Sequence, residues 1–184
     1  EDYSTWVSTA VEVGGRHFAA WYAYGLPEVV RVGGNPEVFR SCAAHVHKKG
    51  GLRVTKPFIL NAQDMLDSGF SLPEFTDLTV KATEVLGKKI TPWVVRNMAG
   101  LAEFDYAPDE FLRDTAKLLA EKGEKAASWY ASGFTEVLQA KWRLRGEIRG
   151  LEKYFREHPE KQEEKEGTLR DYQRTNETFD VLSF

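Results

Sequence analysis

Four basic residues return at one interval. His17, Arg53, Lys89 and Lys125 stand 36 residues apart, each two positions after a glycine of a second column, Gly15, Gly51, Gly87 and Gly123. Displayed on one rim, such a ladder would contact successive phosphates of a nucleic acid, because backbone contacts ask only for positive charge at regular spacing. The same residues would also serve as solvated turns that keep the chain soluble. Charge balance locates the strongest candidate. Residues 36–71 hold five Lys/Arg and three Asp/Glu, whereas the other segments are neutral or acidic, so any nucleic-acid face centres on Lys48, Lys49, Arg53 and Lys56.

Other chemistry finds less support. Cys42, His45 and His47 are metal-ligating types, and on a helix positions 42 and 45 share a face, but 47 points well away. Their equivalents 36 residues on disagree as well: His45 aligns with Lys81 and Lys117, His47 with Val11 and Leu119. The spacing matches no standard closed zinc site. "YASGF" (130–134) places a serine beside a glycine, without the strand and turn that a nucleophile elbow needs. No Walker loop or dinucleotide glycine fingerprint occurs. "EHPEKQEEKE" (157–166) reads as solvated linker, not as a catalytic carboxylate pair. These patterns imply a non-catalytic chain with no cofactor and no metal.

The ladder needs elements that repeat. Phe39, Phe75 and Phe111 align at the same offset, with Tyr3 before them. Trp21, Trp93 and Trp129 align, with Pro57 as the exception; Tyr22, Phe58, Val94 and Tyr130 follow. Each unit reads as two helices. Pro36, Pro73 and Pro108 open the first, where the missing N–H of proline costs nothing. The glycine column then stops it in the left-handed conformation. The second helix restarts at Thr55 and Thr91, with Thr91–Pro92 as N-cap and first helical residue. A hairpin this small cannot bury its apolar face alone, so neighbours must stack. The fold expected is all-α: a short α-α superhelix of about four 36-residue hairpins over 1–143, with Trp21, Trp93 and Trp129 as buried structural anchors. Pro27 predicts a kink or early break in the first unit. Residues 144–158 read as a capping helix ended by Pro159. Residues 159–184 read as a polar linker and a C-terminal docking tail that carries Phe179, Val181, Leu182 and Phe184.

Bulk properties agree with a protein-contact role. The formal charge is −3 and the pI about 5.9, a poor match to a free-standing nucleic-acid binder. A single cysteine rules out an internal disulfide and fits a reducing compartment. No stretch reaches the roughly 18 apolar residues of a membrane helix. A start at Glu1 fits a processed form or a fragment.

The stretch Ile90 to Ala120, "ITPWVVRNMAGLAEFDYAPDEFLRDTAKLLA", resembles the helical repeats of organellar proteins of the FAST-kinase-like, octotricopeptide and heptatricopeptide groups. The similarity lies in the "TPW" lead, the "NMAGLAEFDY" second helix and the "PDEFL" that begins the next unit, and covers about residues 1–143. It implies an α-α superhelix in the mitochondrial matrix or plastid stroma, in proteins that bind RNA or act as scaffolds. The chain carries few units and no endonuclease-like segment after them. The first expectation is therefore a scaffold subunit of a large organellar complex that contacts protein partners. The alternative is an organellar RNA-binding module, such as a ribosome-associated subunit, that uses the basic ladder.

Overall fold

Glycines set the breaks between helices. Gly15, Gly51, Gly87 and Gly123 all adopt positive φ, between 66° and 85°. A Cβ is strained in that region, and glycine is not. A computed structural model of the chain describes residues 3–101, 104, 106–158, 168 and 171. Its helices are α1 (Tyr3–Arg31), α2 (Pro36–Gly50), α3 (Leu52–Asp67), α4 (Leu72–Leu101), α5 (Pro108–Lys122) and α6 (Glu124–Glu157). No strand occurs among the described residues. Gly15 interrupts α1 and Gly87 interrupts α4, each with non-helical angles, so both divide into a first and a second segment.

The chain forms two compact units, Glu1–Ser132 and Gly133–Phe184. In the first unit the backbone closures recur at steps of 36 residues. Gly34, Phe70 and Tyr106 donate their N–H to the carbonyls of Val29, Met65 and Leu101. Phe39, Phe75 and Phe111 donate to Asn35, Ser71 and Ala107 at the start of the next helix. The same three phenylalanines have no exposed surface. Each packs an aromatic ring from a second helix or segment: Tyr22 on Phe39 at 5.3 Å, Phe58 on Phe75 at 4.6 Å, Tyr130 on Phe111 at 5.8 Å between centroids. Helix α1 packs on α2 and α3, α2 on α3 and α4, α3 on α4, and α4 on α5.

Four expectations change. The second helices do not start at threonine caps. Gly51 precedes α3, and Thr55 and Thr91 lie four residues inside, donating their hydroxyls to the carbonyls of Gly51 and Gly87 at 2.8 Å. This back-bonding buries both threonines without an orphan donor. Pro27 does not break α1, which continues to Arg31. The carbonyl of Ala23, which Pro27 cannot serve, accepts the Tyr3 hydroxyl at 2.7 Å instead. The helix expected to begin at residue 144 is not a separate element. Helix α6 is continuous to Glu157, because it holds neither a proline nor a positive-φ glycine. In the second unit Leu144 and Phe155 are buried on α6, and Tyr154 stacks on His158 with centroids 4.3 Å apart. The fourth change concerns the tryptophans and belongs to the site.

The helix starts differ in their caps. The Asn35 side chain accepts from the N–H of Glu37 and Val38. Ser71 and Glu74 form a reciprocal capping box. Ala107, at the equivalent position, offers no side-chain cap. Ser71→Ala is expected to cost about 1 kcal/mol and Ala107→Ser to add a similar amount, read from urea midpoints.

Candidate nucleic-acid interface

On a helix, residues four apart lie one above the other. The basic column is four residues before the tryptophan column, so in three of the four units cation and indole occupy one face of the second helix; after Arg53 the position is Pro57. The structure places His17, Arg53, Lys89 and Lys125 at the surface. Trp93 is 37% exposed and Trp129 62%, while Trp21 is half-buried. The tryptophans are therefore not the core anchors expected from their regularity. The next column holds that role: Tyr22, Phe58 and Val94 have no exposed surface and Tyr130 has 5%. Adjacent residues on a helix diverge by about 100°, so one of two neighbouring columns must face out.

Cations cover two of the indoles. Lys56 Nζ of α3 lies 4.2 Å from the Trp21 ring centroid of α1, and the Arg96 guanidinium lies 4.9 Å from that of Trp93. Tyr24, 68% exposed, meets Trp21 edge-on at 5.9 Å. Neither Arg96 nor Tyr24 belongs to the basic or the tryptophan column, although Arg96 lies one turn beyond Trp93. The arrangement can stack planar groups on indoles and hold anions one helical turn away.

The expected basic patch is only partly assembled. Lys48 and Arg53 are exposed, Lys56 is turned onto Trp21, and Lys49 Nζ bonds Glu84 at 2.8 Å. That hydrogen bond and the lysine charge hold the Glu84 carboxyl below its ordinary range. Lys89 pairs with Glu124 at 3.2 Å. Both pairs are exposed, where water screens such contacts and they yield readily to a phosphate.

Cys42, His45 and His47 stay apart in function. Cys42 is buried, and burial pushes its thiol up. His45 is exposed, and His47 Nδ1 lies 3.3 Å from Thr55 Oγ1 with its ring against Phe18. No group of three metal-ligating side chains occurs among the described residues. Phe179, Val181, Leu182 and Phe184 of the expected docking tail lie outside the described residues. No helix of the described residues is long and apolar enough to cross a membrane.

Three phenols, Tyr22 and Tyr130 buried and Tyr106 half-buried, carry the largest pKa shifts, and all serve packing. Burial pushes Tyr22 up to about 12, and its hydroxyl donates to the Pro36 carbonyl at 2.9 Å. Burial, then Asp114, raises Tyr106, whose hydroxyl donates to that carboxylate; burial, then Tyr106, raises Tyr130. A phenol raised on folding contributes stability that is complete below its unfolded value near 10 and lost as pH rises through the folded value. The melting temperature is expected to fall between pH 10 and 12, and Tyr22→Phe to flatten that fall, as followed by circular dichroism.

Compared with protein-family models, curated proteins and solved structures, the chain matches none.

Proposed function

We propose that the chain is a non-catalytic α-α solenoid module that binds single-stranded RNA along the exposed face of its second helices. The four hairpins are the two segments of α1, the pair α2 and α3, the two segments of α4, and α5 with the start of α6. One observation carries the reading: Trp93 and Trp129 stand at the surface one turn beyond exposed lysines. Base stacking on aromatics with cations alongside is the general way to hold an unpaired strand. Neighbouring helices pack about 8–10 Å apart, which gives rungs at a spacing compatible with one nucleotide per unit. The organellar setting rests on repeat style alone.

The scaffold reading keeps a specific support on the opposite helices. Two clefts of about 330 and 350 Å3 share Lys81 and Asp109 and are lined by Phe70, Leu78, Val85 and Leu112, with Val85 49% exposed. A protein segment would fit there.

A salt series decides. Affinity for single-stranded RNA is expected to fall with a log–log slope of about −2 to −3, from three or four phosphate contacts at about 0.7 each. Changing Arg53, Lys89 and Lys125 to Glu should abolish it. Absence of binding, with sedimentation of the chain in a defined protein complex, would favour the scaffold.

A further inference from the structure

A third cleft, of about 350 Å3, opens between the last turns of α3 and α4. Its volume lies within the roughly 300–1,000 Å3 of small-ligand sites. The α3 wall presents acceptors. Asn61 donates its Nδ2 to the Pro57 carbonyl at 2.8 Å, which leaves its Oδ1 for a ligand, and Asp64 adds an exposed carboxylate. The α4 wall presents Arg96, whose guanidinium rests on Trp93. Asp67, whose carboxylate accepts from Gln63 Nε2 at 3.3 Å, lines the α3 wall as well, and Ala99 and Gly100 line the α4 wall. The Ser68 hydroxyl between them donates to the Asp64 carbonyl at 2.8 Å and lies 3.4 Å from the Ala99 carbonyl. Arg96 and Asp64 line the same cleft yet form no ion pair with each other or with another described residue.

Carboxylates on one wall and an arginine on the other suit a planar ligand with donors on one edge and acceptors on the other. Guanine alone among the RNA bases offers two adjacent donors, N1–H and the N2 amine, together with two adjacent acceptors, O6 and N7. A carboxylate takes the first pair and an arginine the second. We infer that this cleft reads a guanine in the bound strand, with Asp64 on its N1–H and N2 edge, Arg96 on O6 and N7, and Asn61 Oδ1 as a further acceptor. The inference rests on the strand-binding reading above and adds base choice to it.

The test compares the full chain with a 15-residue oligo(U) and with the same strand carrying one central guanosine, by fluorescence anisotropy. The guanosine is expected to tighten binding about 10-fold. Asp64→Ala should remove that gain, so that the ratio of the guanosine-strand affinity to the oligo(U) affinity falls from about 10 to about 1. Inosine in place of guanosine, which lacks the N2 amine, should lose most of the gain with the protein untouched. If oligo(U) binds but guanosine adds nothing, or adds a gain that survives both changes, the guanine site is overturned and the strand-binding reading stands. If neither strand binds, both readings fall.

Discussion

Trp93→Ala combined with Trp129→Ala is expected to weaken binding of a 15-residue oligo(U) by at least ~30-fold while the fold stays intact. Each base stacked on an indole contributes about 1–3 kcal/mol by alanine substitution. Two losses sum to about 2–6 kcal/mol, and every 1.4 kcal/mol is tenfold in affinity. The cost to stability is small by comparison. Trp129 is 62% exposed, and substitutions at the surface usually stay within about 0.5 kcal/mol. Trp93→Ala also releases the Arg96 guanidinium from its ring, a contact worth about 0.5–1 kcal/mol at an exposed site. Affinity and stability are therefore expected to separate, and fluorescence anisotropy beside a thermal melt reads both. Equal loss of the two would mean that the indoles are packing groups.

Phe58→Ala is expected to do the reverse. Phe58 has no exposed surface and stacks on Phe75 with centroids 4.6 Å apart. Truncating a buried phenylalanine costs about 3–5 kcal/mol, from lost burial and the cavity left behind. For a chain of this size that lowers the melting temperature by roughly 6–20 °C. Trp129→Ala, by contrast, should shift it by no more than a degree or two. The pair of variants separates the core column from the surface column next to it.

Much of the backbone was legible in the sequence. The glycine column marks positions where positive φ is required, and all four glycines adopt it. The prolines at 36 and 108 open helices as their fixed φ allows. The face assignment was also present but misread. Four and seven residues beyond Tyr22 come Leu26 and Val29, and beyond Phe58 come Ala62 and Met65, all buried. The same steps from Trp93 reach Asn97 and Gly100, and from Trp129 reach Gly133 and Glu136. A stripe that turns polar within two turns faces water, whatever the size of its first residue. Periodicity, not the rarity of tryptophan, marks the buried column. The threonine caps failed for a different reason. A threonine one or two residues before a proline signals a helix start only when no earlier breaker exists, and Gly51 and Gly87 set the starts here. The pairing of Lys49 with Glu84 and of Lys89 with Glu124 spans 35 residues and becomes visible only once the helices are packed. The cleft at Asn61, Asp64 and Arg96 draws on two helices for the same reason.

Tryptophan emission offers the most direct test of a strand held on an exposed indole face. With Trp6 and Trp142 changed to Phe, the remaining signal comes from Trp21, Trp93 and Trp129 alone. Titration with oligo(U) at low salt is expected to quench that emission to a saturable plateau, and added salt to restore it. A folded chain whose emission does not respond to the strand would contradict the account.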